Sequence, residues 1–358
     1  MKKVVILIVV FFISLIATGC RRVDLTVFIP NEYWSSDVIR AFEREYGVRV
    51  AMRTFDSNER ALELIQGGSV FDIVVPSDYA IEELAAGNYI LPIDWSQIDF
   101  PRTGMWANQL ASYMELFNEA GFEILTYGVP YFWGTVGIIY NHTIPGMRER
   151  VRREGFGIIG AADLRTVVYD SSRCSMMAAL LRDPNNPIRL HEATLTQINE
   201  AGAWLNGVLR QPTTSRISDQ ILDIMPSNTS FDAVIAYSGD ATWITYSNSD
   251  YSFYNPDQTN VWIDAFTIMN HSSVNVELAY KFISFMLQYD NAQASTDAIF
   301  YTSMREDVLQ NMVAYLIEEG KERSLAAYVP VTTNPQFFRF DNQVRTWVAD
   351  AWAHAIAV

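Results

Sequence analysis

The sequence predicts an α/β fold divided into two domains, and three observations carry that prediction. Short runs of β-branched and aromatic residues alternate with stretches whose apolar residues recur at helical spacing, the two periodicities of strand and helix. Their regular alternation means strands joined by helical crossovers, and therefore sheets that are mainly parallel. At 358 residues the chain also exceeds the length at which one core ordinarily keeps growing.

"LTVFIP" from Leu25 is a strand. "SSDVIRAFEREYG" follows as a helix, with Val38, Ile39, Phe42 and Tyr46 on one face, Ser35 or Ser36 as N-cap and Gly47 as the stop. "VRVAMRTF" is a second strand and "DSNERALELIQGG" a second helix, opened by an Asp56 and Glu59 capping box. "VFDIVVP" is an apolar third strand, and "SDYAIEELAAGN" a helix with Ser77 as N-cap. A second unit has strand "VVYD" (167–170), helices from about Arg173 to Arg182 and within 192–209, and strand "DAVIAY" (232–237). Residues 270–320 read as helical, with Leu278, Phe282 and Phe285 on one face, whereas 142–162 reads as a Gly-, Arg- and Glu-rich loop without chemistry.

Between them lies "NVWIDAFTIM" (260–269), which alternates with period two yet carries Asp264 in its middle. A carboxylate on a buried strand is costly unless a strong donor or a cation meets it. Asp264 therefore has either a structural partner or a cation that arrives from solvent.

The chain starts "MKKVVILIVVFFISLIATGC": Lys2 and Lys3, an apolar run too short for a typical membrane span, then small residues before Cys20. This is the pattern of an export signal, and its ending resembles a bacterial lipobox in which the cysteine carries the lipid. The expected organisation is a signal peptide over 1–19 and a lipidated tether over 20–24, the protein being exported and lipid-anchored to a bacterial membrane through Cys20. Loss of 1–19 removes two lysines, leaving 339 residues and moving the formal charge from −15 to −17. Such acidity repels nucleic acid and attracts cations. With Cys20 lipidated, Cys174 lacks a disulfide partner, and the core must hold the protein together.

Most catalytic classes find no motif. His142, His191, His271 and His354 form no HExxH or close pair with cysteine, and no GxSxG elbow, Walker loop or GxGxxG follows a strand. No cofactor, metal or catalytic residue is expected. A carboxylate-pair glycoside hydrolase stays open, because it needs only two acids and aromatic neighbours.

Ligands of α/β sheets bind beyond the carboxyl ends of the strands. Topology alone therefore nominates Asn31, Glu32 and Tyr33 after the first strand, and Ser77, Asp78 and Tyr79 after the third. Tyr33, Trp34, Tyr79, Trp133, Tyr237, Trp243, Trp262 and Tyr301, beside Glu32, Asp78, Asp240 and Asp264, make an aromatic and acidic inventory suited to an alkyl chain bearing amines. Most of the 18 tyrosines and 9 tryptophans must nevertheless serve as core.

Four segments together resemble the spermidine/putrescine-binding receptors of bacterial polyamine ABC importers: "FDIVVPSDYAIEELAAGNYILPID" (71–94), "VPYFWGTVGIIYN" (129–141), "YSGDATW" (237–243) and "VWIDAFTIM" (261–269). The likeness runs in the family's order from Leu25 to about Tyr301. It implies a two-lobed type II periplasmic-binding-protein fold with the ligand cleft between lobes, lobe one being 25–138 and 267–318 and lobe two 139–266 and 319–358. It also implies that Asp264 takes a ligand amine and that Trp262 stacks on the methylene chain. Glu32, Tyr33, Ser77, Tyr79, Tyr237 (where the family has Trp), Asp240 and Tyr301 are the remaining contacts, with Asn31, Trp34, Asp78 and Ser171 as secondary candidates. The family's first-strand Trp falls on Pro30. The acids of the spermidine-favouring branch fall on Ser171 and Cys174, whereas Asp240 matches a carboxylate of the putrescine-preferring branch. The resemblance thus implies a binding protein without catalysis, putrescine preferred over spermidine, and a membrane permease as partner. A receptor of the same fold that takes another cation, or that feeds a sensor, is the alternative.

Overall fold

A computed structural model describes residues 23–357. The signal segment and Cys20 lie outside the described residues. Among those described, no helix is long and apolar enough to cross a membrane.

The first unit runs β1 (Leu25–Pro30), α1 (Ser36–Tyr46), β2 (Val50–Phe55), α2 (Asn58–Gln66), β3 (Ile73–Val74), α3 (Asp78–Ala86) and α4 (Asn108–Glu119). β4 (Val129–Asn141) then leads into the second unit: α5 (Met147–Glu154), β5 (Thr166–Tyr169), α6 (Ser172–Leu180), α7 (Leu195–Leu209), β6 (Thr214–Ile217), α8 (Ile221–Ile224), β7 (Ala233–Tyr237), α9 (Ser238–Ser247) and β8 (Tyr251–Tyr254). β9 (Val261–Ile268) returns to the first unit, followed by α10 (Val276–Met286), α11 (Tyr289–Ile299), β10 (Thr302–Ser303), α12 (Glu306–Glu318), α13 (Leu325–Tyr328) and α14 (Asn342–Ile356).

The strands lie in the order β2-β1-β3-β9-β4-β7-β5-β6, with β8 and β10 pairing β4. β1 is parallel to β2 and β3, and β5 is parallel to β6 and β7. The strands that alternate with helices are thus parallel, as that alternation implies, and the antiparallel pairs lie at the centre, on β4 and β9. β4 carries the chain out of one lobe and β9 brings it back, so the two run in opposite directions side by side over Val129–Thr135 and Val261–Phe266. Every residue of both strands is buried. A strand covered on both faces reads as a nearly continuous apolar run, which is why Asp264 stands out. The result is a two-lobed α/β fold crossed by two strands, with a cleft over the crossing.

Local signals mostly match. Ser35 occupies the N-cap of α1, and Gly47 closes it in the left-handed conformation with its N–H on the Glu43 carbonyl. Phe282 and Phe285 of α10 meet Phe42 of α1 edge to face, at 5.1 and 5.3 Å between centroids. Two local expectations are corrected. The cap of α2 is Ser57, whose hydroxyl accepts from the Arg60 N–H at 3.2 Å, so Asp56 lies outside the helix and no Asp56/Glu59 box forms. Segment 142–162 is not a loop but α5 and a 3-10 stretch over Gly155–Gly160, with Arg150 paired to both Glu154 and Asp163. Its low apolar content hid a helix that carries one charge pair at four-residue spacing, Arg150 with Glu154.

Candidate functional site

Asp264 sits where β9 passes the end of β3. The two strands extend their pairing into a bridge between Ser77 and Asp264, with the Ala265 N–H on the Pro76 carbonyl at 3.2 Å. Ser77 stands at the N-cap position of α3, but its hydroxyl makes no capping bond. It donates instead to the Asp264 carboxylate at 2.6 Å, and the Tyr33 hydroxyl donates to the other oxygen at 2.6 Å. Asn58 at the start of α2 holds Ser77 from both sides: its amide donates to the Ser77 hydroxyl at 2.9 Å, and its carbonyl oxygen accepts the Ser77 N–H at 3.0 Å. Asp264 is 6% exposed and has no ion-pair partner among the described residues. Burial pushes its carboxyl up to about 6, although both hydroxyls act in the opposite direction.

Around it lies a cavity that measures about 800 Å³ with its open mouth, lined by Asn31, Tyr33, Ser77, Tyr79, Tyr169, Ser171, Tyr237, Trp262, Asp264 and Tyr301 among others. The Trp262 indole N–H donates to the Thr135 carbonyl at 3.2 Å, and its ring meets Tyr237 and Tyr301 with centroids 6.0 and 5.7 Å away. That approach needs Gly134, because a Cβ there would lie 2.6 Å from the indole ring. Gly239 serves Tyr301 in the same way, since a Cβ would lie 2.3 Å from its ring.

Not every nominated residue faces this cavity. Glu32, Trp34 and Asp240 line a second, outer chamber with Trp243 and Phe300, joined to the inner one through the shared residues Asn31, Asp219 and Tyr301. Glu32 has φ +52°, an uncommon conformation for a residue with a side chain, in the turn between Asn31 and Tyr33. Asp240 lies in the first turn of α9. The Tyr301 hydroxyl donates to it at 2.6 Å, and burial pushes its carboxyl up to about 7. Asp78 is a different kind of residue. It is 1% exposed, lines neither chamber, and accepts from the backbone N–H groups of Tyr79 and Ile263 at 2.6 and 3.1 Å. It fastens α3 to β9, a structural duty. Cys174 is buried, with Sγ 3.0 Å from the Tyr237 hydroxyl, and burial raises its thiol to about 11.

Four carboxylates outside the nominated contacts also reach the inner cavity: Asp56, Glu59, Asp170 and Asp219. The signal was available. Asp56 and Glu59 follow β2, Asp170 follows β5 and Asp219 follows β6, so the strand-end rule that found Tyr33 and Ser77 nominates these as well. Among the described residues no group of three or more His, Cys, Asp or Glu is arranged to hold a metal ion. What the cleft can do is clasp a small cation by carboxylates and aromatic faces.

Lobes, crossing strands and an interlobe cleft are the architecture of solute-binding proteins, and the comparisons find proteins of that kind. Residues 1–145 match a family described as hypothetical lipoprotein (MG045 family). The putrescine-binding periplasmic protein PotF of Escherichia coli is 22% identical over 326 residues, 81% of this chain and 80% of that protein. The putrescine-binding periplasmic protein SpuD of Pseudomonas aeruginosa is 31% identical over a shorter stretch of 121 residues, 33% of this chain and 30% of that protein. A Vibrio cholerae norspermidine sensor is 23% identical over 298 residues, 80% of this chain and 78% of the sensor. Among solved structures, one from Listeria monocytogenes assigned to spermidine/putrescine ABC transport superposes with TM-score 0.72 at 25% identity, covering 93% of this chain and 98% of that one. The spermidine/putrescine substrate-binding protein PotD of Streptococcus pneumoniae gives 0.69 at 25% identity, covering 92% of this chain and 98% of that one. The chain is therefore similar, over most of its length, to periplasmic solute-binding proteins of spermidine and putrescine transport.

Proposed function

We propose that the protein captures a small polyamine, putrescine in preference to spermidine, and delivers it to the permease of an ABC importer while anchored to a bacterial membrane by lipid on Cys20. Its lobes would be 25–138 with 267–318, and 139–266 with 319–358. The observation that carries the ligand class is Asp264: a buried carboxylate with two hydroxyl donors, no resident cation among the described residues, and a cavity in front of it. One ammonium takes Asp264, Trp262 and Tyr33 cover the methylenes, and the second ammonium meets Asp219 and the Tyr301 hydroxyl that Asp240 supports. Desolvating each charge is costly unless it is paired, so closure favours a ligand whose charges match the free carboxylates.

The preference for the shorter amine is supported by how the other carboxylates are already engaged. Glu59 is bonded to Arg173 at 3.0 Å and Asp170 lies 3.6 Å from Arg216, so a third ammonium at that end meets two carboxylates already engaged by arginines, and only the solvent-exposed Asp56 is left to it. Calorimetry on delipidated protein with putrescine, spermidine and a sugar panel tests the reading. Putrescine should bind at least tenfold more tightly than spermidine, and oligosaccharides should not bind; equal or tighter spermidine binding would sink the preference. Labelled palmitate should enter the wild-type protein and not the Cys20→Ala variant. The sensor among the relatives makes detection a second role for the same fold, and co-purification with a permease separates the two.

A further inference from the structure

We propose that Arg173 sets the length of cation the cleft accepts, by occupying Glu59 as a built-in substitute for a distal ligand ammonium. Arg173 is the second residue of α6, in the lobe of β5 to β7, and is 3% exposed. Its Nε donates to the Glu59 carboxylate at 3.0 Å, and Glu59 belongs to α2 of the opposite lobe. The guanidinium carbon lies 4.1 Å from the centre of the Tyr79 ring and 5.9 Å from that of Phe338. Tyr79 completes the arrangement by donating its hydroxyl to Glu59 at 3.0 Å.

A carboxylate beside an aromatic face is what the inner cavity presents at Asp264 and Trp262. At the Glu59 end the same arrangement is already filled by the protein's own cation. Glu59, Tyr79 and Ser171 line the cavity, and Arg173, which does not line it itself, is packed against the first two. One guanidinium nitrogen, Nη2, is buried without a hydrogen-bond partner, so the group is packed in place rather than extended into solvent. An ammonium that reaches Glu59 must displace a desolvated, paired guanidinium, which is costly, and the unpaired carboxylate nearby, Asp56, is exposed to solvent. A diamine that ends short of Glu59 meets no such penalty. The idea rests on the polyamine reading above.

The test measures putrescine and spermidine dissociation constants by calorimetry on the wild type, on Arg173→Gln and Arg173→Met, and on Arg173→Gln combined with Glu59→Gln. Arg173→Met keeps an unbranched stem over Tyr79 should Arg173→Gln fold poorly. The single variants should shift the spermidine-to-putrescine affinity ratio toward spermidine by at least tenfold, and Glu59→Gln should abolish the shift, because the freed carboxylate causes it. A wild type that binds putrescine, with an unchanged ratio in both folded Arg173 variants, overturns the role of Arg173 alone. A shift that survives Glu59→Gln overturns the part given to Glu59. A wild type that binds no polyamine overturns the ligand class and this inference together.

Discussion

Asp78 and Asp264 meet at the same crossing and hold each other's neighbours. Asp78 accepts from the backbone of Ile263, the residue before Asp264, and Asp264 accepts from Ser77, the residue before Asp78. Both are buried, and burial raises both carboxyls, Asp78 well above the ordinary range and Asp264 to about 6. They differ in their donors. Asp78 is met by two backbone N–H groups, which are fixed by the helix and strand that carry them. Asp264 is met by two side-chain hydroxyls on residues that line a cavity. The first carboxylate has its ligand in the protein; the second keeps room for one from outside. Burial alone therefore does not tell a structural carboxylate from a binding one, whereas the identity of its donors does.

The largest effect is expected at Asp264. Asp264→Asn should weaken putrescine binding by about 2–5 kcal/mol, the range for truncating one partner of a buried charge pair, as read by calorimetry, while leaving the protein folded. The sign of its stability effect follows from the raised carboxyl. A group that holds its proton more tightly when folded stabilises the ligand-free protein fully below the unfolded value of 3.8, and loses that contribution as pH rises through about 6. At pH 8 the buried charge costs on the order of 3 kcal/mol for a shift of that size, so ligand-free Asp264→Asn should melt no lower than wild type. Binding runs the other way: putrescine affinity should fall on acidification from pH 8 to 5, as Asp240 near 7 and Asp264 near 6 take up protons. An Asp264→Asn protein that melts early, with unchanged affinity in the folded fraction, would make Asp264 a second Asp78.

The converse experiment is Asp78→Ala. It orphans two buried N–H donors and should cost about 2–4 kcal/mol of stability by urea unfolding, with affinity in the folded fraction falling less than tenfold. A stable Asp78→Ala protein that no longer binds would reverse the assignment of roles. Trp262→Ala, by lost stacking and area, should cost about 1–3 kcal/mol of affinity with little change in pH dependence. The smallest effect is expected at the chamber boundary. Tyr301→Phe should cost about 1 kcal/mol, and Asp240→Asn added to it should cost little more, because Asp240 acts through the Tyr301 hydroxyl. Fully additive losses would show that Asp240 meets the ligand directly.

The local texture of the chain was enough for the class of fold. Alternating periods gave the order of strands and helices, and Ser35 and Gly47 mark α1 because their requirements are local. Asp264 announced itself because a charge in an apolar strand is anomalous within its own neighbourhood. What the sequence left open needs distant partners. Tyr33 and Ser77 lie 231 and 187 positions from the carboxylate they hold, and no local period encodes that meeting. Nor could the sequence say which donors meet Asp78, just after a strand, and which meet Asp264, within one, since the distinction rests on what arrives from elsewhere in the fold. The division of the cleft into two chambers by Tyr301, and the claim of Arg173 on Glu59 across the lobes, likewise exist only once β4 and β9 have crossed and the lobes have met. Periodicity is a property of neighbours along the chain. Charge pairing in a cleft is a property of neighbours in space, and the tertiary structure alone decides it.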